Sequence, residues 1–588
     1  MKRSLTKRRV IGTVGFAVAA TMLAAACGGD DGGSSGGSGG TPTAGGTIYV
    51  LTQSEGFAHL DPQRNYTGAD LAFAGSTLQR TLTTYKYAAG EEGSDITADL
   101  ATDIGTSSED AKTWSFTLRE GITYEDGSAI TCEDVAYGVS RTFAVDVITD
   151  GPTYAISYLD IPEDAESLNG TTYPGPYTAT PEQQADFDKA VSCDGSTITF
   201  NLKVPVADFN YTVTLLSFSP VPKAADTGEA YTTAPVSSGP YKIETYEEGQ
   251  QLVLVRNENW SKDSDPVRNA YPDSIVVQFG LDPAVVDERL IADAGDDQFA
   301  VAADGIQPEN LPTIFDDERF ADRRQDGFDP YVTYTNVNNS TIDCYEVRLA
   351  MYLALDREAL RTAGGGPYTG EFADGFIKPN LAPDYAPTEL PEGLNEDGTP
   401  NVEAAQAAMD AAAETCPDVV EYVKAGIGFM HPDTPTWQKN VSIWIESLGE
   451  VGIKVNSLAV EPSKYYPTVM NPETEWDISR AGWGPDWANA STVIPELFAT
   501  GGGFTLTRND ANPDQAEFDA LVDAAKAETD REAQAKLWQE LNQYVLDRLW
   551  AIPGSFTKAQ DIWGSKVGNA YRWAPFGSFN FGDLYVIQ

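Results

Sequence analysis

Histidine is nearly absent from this sequence. Its 588 residues include two, His59 and His431, far apart in the chain. Zinc hydrolases and His-built metal centres need several imidazoles close together, so neither is expected, and no cofactor is implied. Positive charge is also scarce: 39 Lys and Arg stand against 88 Asp and Glu, for a net charge of −49. Phosphate backbones are bound by concentrated cations, which argues against nucleic acid as a partner. After residue 27 no stretch approaches the roughly 18 apolar residues that a membrane helix needs. Gly364-Gly365-Gly366 with Gly370 lacks the Lys-Ser/Thr of a phosphate loop, so the chain carries no ATPase motor. The acidic stretch from Asp293 to Asp297 lacks the spacing of a calcium loop and reads as a solvated face. No His-Glu-x-x-His occurs.

What is present is a long chain, 41% hydrophobic and 22% charged, which points to a folded protein of about two to four domains. Residues 1–27 read as a signal peptide. Lys2, Arg3, Lys7, Arg8 and Arg9 precede a short interrupted apolar run from Val10 to Ala26. Leu23-Ala24-Ala25-Ala26-Cys27-Gly28 resembles a bacterial lipoprotein lipobox, although its leucine stands four rather than three before the cysteine. That resemblance implies lipidation of Cys27 and a membrane anchor on the extracytoplasmic face. Residues 28–45 are rich in Gly and Ser and form a flexible tether. A Gly-x-Ser-x-Gly at Gly33 to Gly37 lies inside that tether, without the strand and helix a nucleophile elbow requires.

Four cysteines remain, Cys132, Cys193, Cys344 and Cys416, which allow three pairings. Cys132–Cys193 and Cys344–Cys416 are favoured, because each closes a loop within one region. Trp114-Ser115-Phe116-Thr117-Leu118 alternates as a half-buried strand, and Ile198, Phe200, Leu202 and Val204 do the same. Thr131 with Asp134 makes a capping box before Val135, Val139 and Phe143. Residues 165–190 read as a polar surface insertion. Asp343 and Glu346 are expected to cap one long helix from Val347 to Leu360. Trp437, Val441, Trp444, Ile445 and Leu448 share a helix face, with a strand from Ile453 to Val460 beyond. Helices are expected from Gln515 to Ala527 and from Arg531 to Trp550. Strands alternating with helices give an α/β class.

Several of these segments together resemble family 5 extracellular solute-binding proteins, the oligopeptide- and dipeptide-binding components of ABC importers. The longest is Trp114 to Gly127, followed by Ile130 to Val135 and Arg141. Leu60-Asp61-Pro62, Ser238-Gly239-Pro240-Tyr241, Leu254 to Asn257 with Trp260, and Ala354-Leu355-Asp356-Arg357 support it. So does Trp476-Asp477-Ile478-Ser479-Arg480-Ala481-Gly482-Trp483-Gly484-Pro485-Asp486-Trp487. The resemblance implies a periplasmic-binding-protein-like fold (type II, cluster C), with two lobes around a ligand cleft and an extra small domain. Domain I would be 46–72, 200–280 and 555–588; domain II 73–199; domain III 281–554.

The resemblance also implies the site. Asp486 would pair with the α-ammonium of a short peptide, and the backbone of Gly482, Trp483 and Gly484 with its main chain. Arg480 would meet its carboxylate, and Trp487 is the aromatic that follows the aspartate. The acidic-Pro pair of many peptide binders is replaced here by Ala488-Asn489-Ala490. Such a protein is expected to be a monomer that hands its ligand to a permease with separate ATPase subunits. It would not be an enzyme. An oligosaccharide or metal chelate is the alternative ligand, and a secreted cell-wall hydrolase the rival of another class.

Overall fold

The computed structural model describes residues 41–508 and 512–588. The signal peptide, Cys27 and the tether before residue 41 lie outside the described residues. Three sheets organise the body. The first has five strands in the order Ala300–Ala302, Thr47–Leu51, Ser274–Gln278, Gln251–Arg256, Tyr241–Glu247. Ile48, Val50, Leu254 and Val277 fill the core on one of its faces. Leu51, Ala300, Ala302 and Leu290 fill the other. The second sheet has four strands, Thr106–Ser107, Thr113–Thr117, Thr197–Asn201 and Val191–Asp194. The third has six, in the order Gly370–Phe372, Ala551–Ile562, Arg324–Val337, Ile478–Trp483, Ile427–Pro432, Val455–Val460.

Local sequence signals explain much of this. Trp114 and Phe116 are buried while Thr113, Ser115 and Thr117 are not, as a strand with one core face requires. Thr131 Oγ1 accepts from the Asp134 backbone and Asp134 caps Thr131 in return, opening the helix Cys132–Arg141. Helices Gln515–Ala527 and Arg531–Arg548 form, the latter ending where Leu549 turns left-handed at φ 47°. Val204, expected to continue its strand, is exposed beyond the end at Asn201. The insertion is not wholly irregular, since Thr180 and Gln183 cap a helix Pro181–Ala190.

The expected single helix Val347–Leu360 is two. Tyr345–Ala354 stops at an extended Leu355, and Asp356 then caps Arg357–Ala363 by accepting from the Ala359 N–H. The aspartate offers the backbone a better-satisfied start than continued helix does.

Two long antiparallel strands of the third sheet, Arg324–Val337 and Ala551–Ile562, run from that sheet toward the first. Ile562 enters the core beside the first sheet, while Val337 and Ile552 enter the core on the helical side of the third. Their register breaks twice in mid-course, from Phe328↔Lys558 to Val332↔Phe556 and then to Tyr334↔Pro553. Buried Lys378, from a third segment, donates to the Thr557 carbonyl at 2.9 Å and to Asp329 Oδ1 at 3.2 Å, holding both strands at the break.

Disulfides join Cys132 to Cys193 and Cys344 to Cys416, with Cα separations of 5.9 and 6.3 Å. Intact mass of the protein purified under non-reducing conditions should therefore be four hydrogens below that of the reduced chain, and a full count of free thiols would refute both bonds.

Candidate functional site

The strand Ile478–Trp483 carries the site. On one side it pairs fully with Val332–Val337, Gly482 opposite Thr333 and Arg480 opposite Thr335. On its other side, pairing with Phe429 and Met430 stops at Ser479. Among the described residues the backbone from Ala481 to Trp483 therefore presents an edge with no strand partner on that side, and Gly484 and Pro485 lead from it to Asp486. A strand edge of this kind accepts an added extended chain.

Asp486 is half-buried and bridges three parts of the chain. Tyr66 donates to Oδ1 at 2.8 Å, and Tyr154 donates to Oδ2. Burial pushes its carboxyl up to about 6, with Glu496 adding to the rise and the two tyrosine hydroxyls opposing it. At neutral pH it is an anion held by neutral donors, with no cation of the described residues paired to it. Neither tyrosine was legible in the sequence: they stand 420 and 332 residues from Asp486, and no local spacing announces such contacts.

Arg480 is half-buried in an aromatic box. Its guanidinium lies 5.4 Å from the Trp437 ring centre and 5.9 Å from that of Tyr466, and Nη1 donates to the Tyr466 hydroxyl at 2.6 Å. Nε has no partner, and no carboxylate of the described residues comes within ion-pair distance. Trp483 is half-buried, donates to the Thr492 carbonyl at 2.7 Å, and lies 5.3 Å from the Phe504 ring, which in turn touches Tyr466. Aromatic rings thus line the way from Arg480 to Trp483.

Trp487 departs from expectation. It is 1% exposed, donates to Asp208 at 2.8 Å and meets the edge of the Tyr154 ring. It backs Tyr154 instead of lining a cleft, because its indole N–H is satisfied inside the core.

A cavity of about 260 Å³ lies on the Thr333/Thr335 face of the third sheet, the face that also bears Arg480. Trp437, Arg357, Arg361 and Asn440 line it, and Asp486 does not. Sequence reasoning also missed a Ser-x-x-Lys at Ser555 to Lys558. These two lie three apart on a strand and face opposite sides. Ser555 Oγ bonds Thr333, and Lys558 pairs with Glu371 at 2.9 Å, so they form no nucleophile–base pair.

A half-buried carboxylate with no cation paired to it among the described residues, a free strand edge and a guanidinium without a carboxylate describe a protein that holds a solute. The family model of the bacterial extracellular solute-binding proteins, family 5 (middle), matches residues 95–505, and the chain belongs to that family. It is 23% identical over 501 residues to the Probable D,D-dipeptide-binding periplasmic protein DdpA of Escherichia coli (strain K12), covering 83% of this chain and 84% of that one. It is 23% identical over 486 residues to the oligopeptide-binding protein OppA of Bacillus subtilis (strain 168), covering 77% and 78%. Among solved structures, clavulanic acid biosynthesis oligopeptide binding protein 2 superposes with a TM-score of 0.81 at 28% identity, covering 93% of this chain and 96% of that one. The fold is that of a type II periplasmic binding protein, two lobes of mixed α/β structure, and the chain's role is solute binding. Among the described residues no helix is long and apolar enough to cross a membrane.

Proposed function

We propose that this protein is the lipid-anchored receptor of an ABC importer, capturing short peptides in the cleft at Asp486 and delivering them to a membrane permease. The observation that carries the reading is the anion at Asp486, on which two distant chain segments converge and which no cation of the described residues neutralises. A ligand ammonium is its natural counter-ion, since a carboxylate left unpaired in a closed cleft is costly. The free edge at Gly482 and Trp483, continued by Gly484, takes the peptide main chain without reading side chains. Arg480 takes the carboxylate through its bidentate fork. Cys27 tethers the protein through residues 28–45. The printed names of the relatives, peptide-binding proteins, support this choice over a sugar or a chelate.

The domains we assign are those expected, with one change. Domain I takes in residues up to about 323, because Ala300–Ala302 pairs with Thr47–Leu51 in the first sheet and Phe320 packs in the same core. The lobes swing about the two crossing strands, whose broken register removes ladder bonds where bending is needed. Ligand binding favours the closed form by differential affinity.

The test is native mass spectrometry of residues 28–588 purified from cells. A ladder of bound masses that fragments into amino acids is expected; a single non-peptide mass or hexose spacing would overturn the reading. Incubation with dye-labelled peptide or glycan should give no cleavage product, and turnover would return the hydrolase to consideration. Arg480→Gln should weaken tri-alanine binding by about tenfold while leaving its C-terminal amide, which lacks the carboxylate, bound as before. Equal losses for both peptides would remove Arg480 from the carboxylate.

A further inference from the structure

The cavity beside Trp437 is lined by cations that the ammonium and main-chain contacts do not use. Arg357 is 4% exposed, its Nε has no hydrogen-bond partner, and no carboxylate of the described residues lies within ion-pair distance of it. It stacks 4.9 Å from the Phe372 ring centre and donates through Nη2 to the Asn395 carbonyl at 2.5 Å. Asp397 is near enough to feel its charge without pairing with it. Arg361, one helical turn on, pairs with Glu358 at 2.5 Å, and its Nε has no hydrogen-bond partner. The Asn440 side-chain oxygen is unpartnered as well. In a chain with a net charge of −49, a buried guanidinium left without a carboxylate is conspicuous. Such a group costs free energy unless an anion meets it.

We infer that this cavity is an anion subsite, which receives an acidic group carried by the ligand beyond the part held at Asp486 and Arg480. The Thr335 hydroxyl supplies a further donor, while Leu355, Leu360 and Phe372 give the apolar wall that an acidic side chain's methylenes need. The preferred ligand is therefore a peptide bearing a second carboxylate near its C-terminus. This rests on the peptide-capture reading for the ligand's orientation, but the subsite's own chemistry does not.

Titration calorimetry with Ala-Ala-Glu and Ala-Ala-Gln on the soluble body tests it, with thermal shift in glutarate alone as a second measurement. Ala-Ala-Glu is expected to bind about tenfold or more tightly than Ala-Ala-Gln, and that ratio should fall toward one in Arg357→Gln. Arg361→Gln does the same where Arg357→Gln does not fold, and the wild-type comparison needs no variant. Equal affinity for the two peptides overturns the subsite and leaves peptide capture standing. If neither peptide binds but glutarate raises the melting temperature of the wild type and not of Arg361→Gln, the subsite stands and the peptide reading fails. If neither the peptides nor glutarate bind, both fall.

Discussion

Asp486→Asn weakens binding of tri-alanine by more than about tenfold at pH 7, and the loss shrinks as the pH falls. The variant removes a charge-assisted contact in a partly desolvated cleft, where breaking such a pair costs several kcal/mol. The pH profile follows from the carboxyl's position at about 6 in the ligand-free protein. An ammonium partner favours the ionised form and lowers that value in the complex. Binding is then full above about 6 and declines as pH falls through it, whereas the Asn variant is flat. Calorimetry from pH 4.5 to 8 reads both. A wild-type affinity that does not change across that window means the ammonium is paired elsewhere.

The same residue carries the opposite sign for stability. Its folded-state value lies above the ordinary carboxylate value of 3.8, so the folded protein binds that proton more tightly than the unfolded chain does. Stability from this group therefore rises as pH falls from above 6 toward 4, and the ionised form is a liability at pH 7. Ligand-free Asp486→Asn should consequently be the more stable protein at pH 7, by about 1–2 kcal/mol once the shift is discounted for the group's access to water. At pH 4 the two should melt together. A site that destabilises the empty protein and is relieved by ligand is what a receptor that closes on binding needs.

The fold was largely legible where the signal is local. Alternation at Trp114 and Phe116, the capping box at Thr131 and the helix face of Val441, Trp444 and Leu448 reappear as elements with those residues buried or capped, whereas Trp437 on that helix is half-buried and Ile445 is exposed. Local rules failed at Asp356, where a capping side chain cuts a run that periodicity alone extends. The site was legible in part for a different reason. Asp486 and Arg480 stood out only because the residues around them resemble a family. Their partners Tyr66, Tyr154, Trp437 and Tyr466 arrive from distant segments that no spacing links. Several other residues that carried the resemblance do structural work. Arg141 grips Asp61 of Leu60-Asp61-Pro62 with two hydrogen bonds, 2.7 and 2.8 Å, both side chains wholly buried. Asn257 donates to the Gly239 carbonyl, and Trp260 to Asp265. A motif shared across a family thus marks where chain segments must be fastened as well as where ligand is held.

The largest effect on stability is expected from another fastening, a closed ring of four buried charges. Arg80 pairs with Asp99 at 2.7 Å and with Asp265 at 3.4 Å, and Arg268 pairs with Asp99 at 2.9 Å and with Asp265 at 3.2 Å. All four side chains are at most 2% exposed, and their charges alternate to zero. Arg268 also donates to the Gly75 and Gln79 carbonyls, so the ring ties the segment 75–99 to 265–268. Arg268→Met leaves two buried carboxylates facing one guanidinium and should cost about 3–5 kcal/mol in urea unfolding. The double variant Arg268→Met with Asp265→Asn restores neutrality and should recover part of that loss, a coupling that independent sites do not show. The arginines hold Asp265 far below the usual carboxylate range despite its burial. Its contribution is therefore present above about pH 4 and persists well into acid, lost only as pH falls through that depressed value. A single variant costing under about 1 kcal/mol, or a double variant no better than the single, would mean that the surrounding core, and not the charges, holds these segments together.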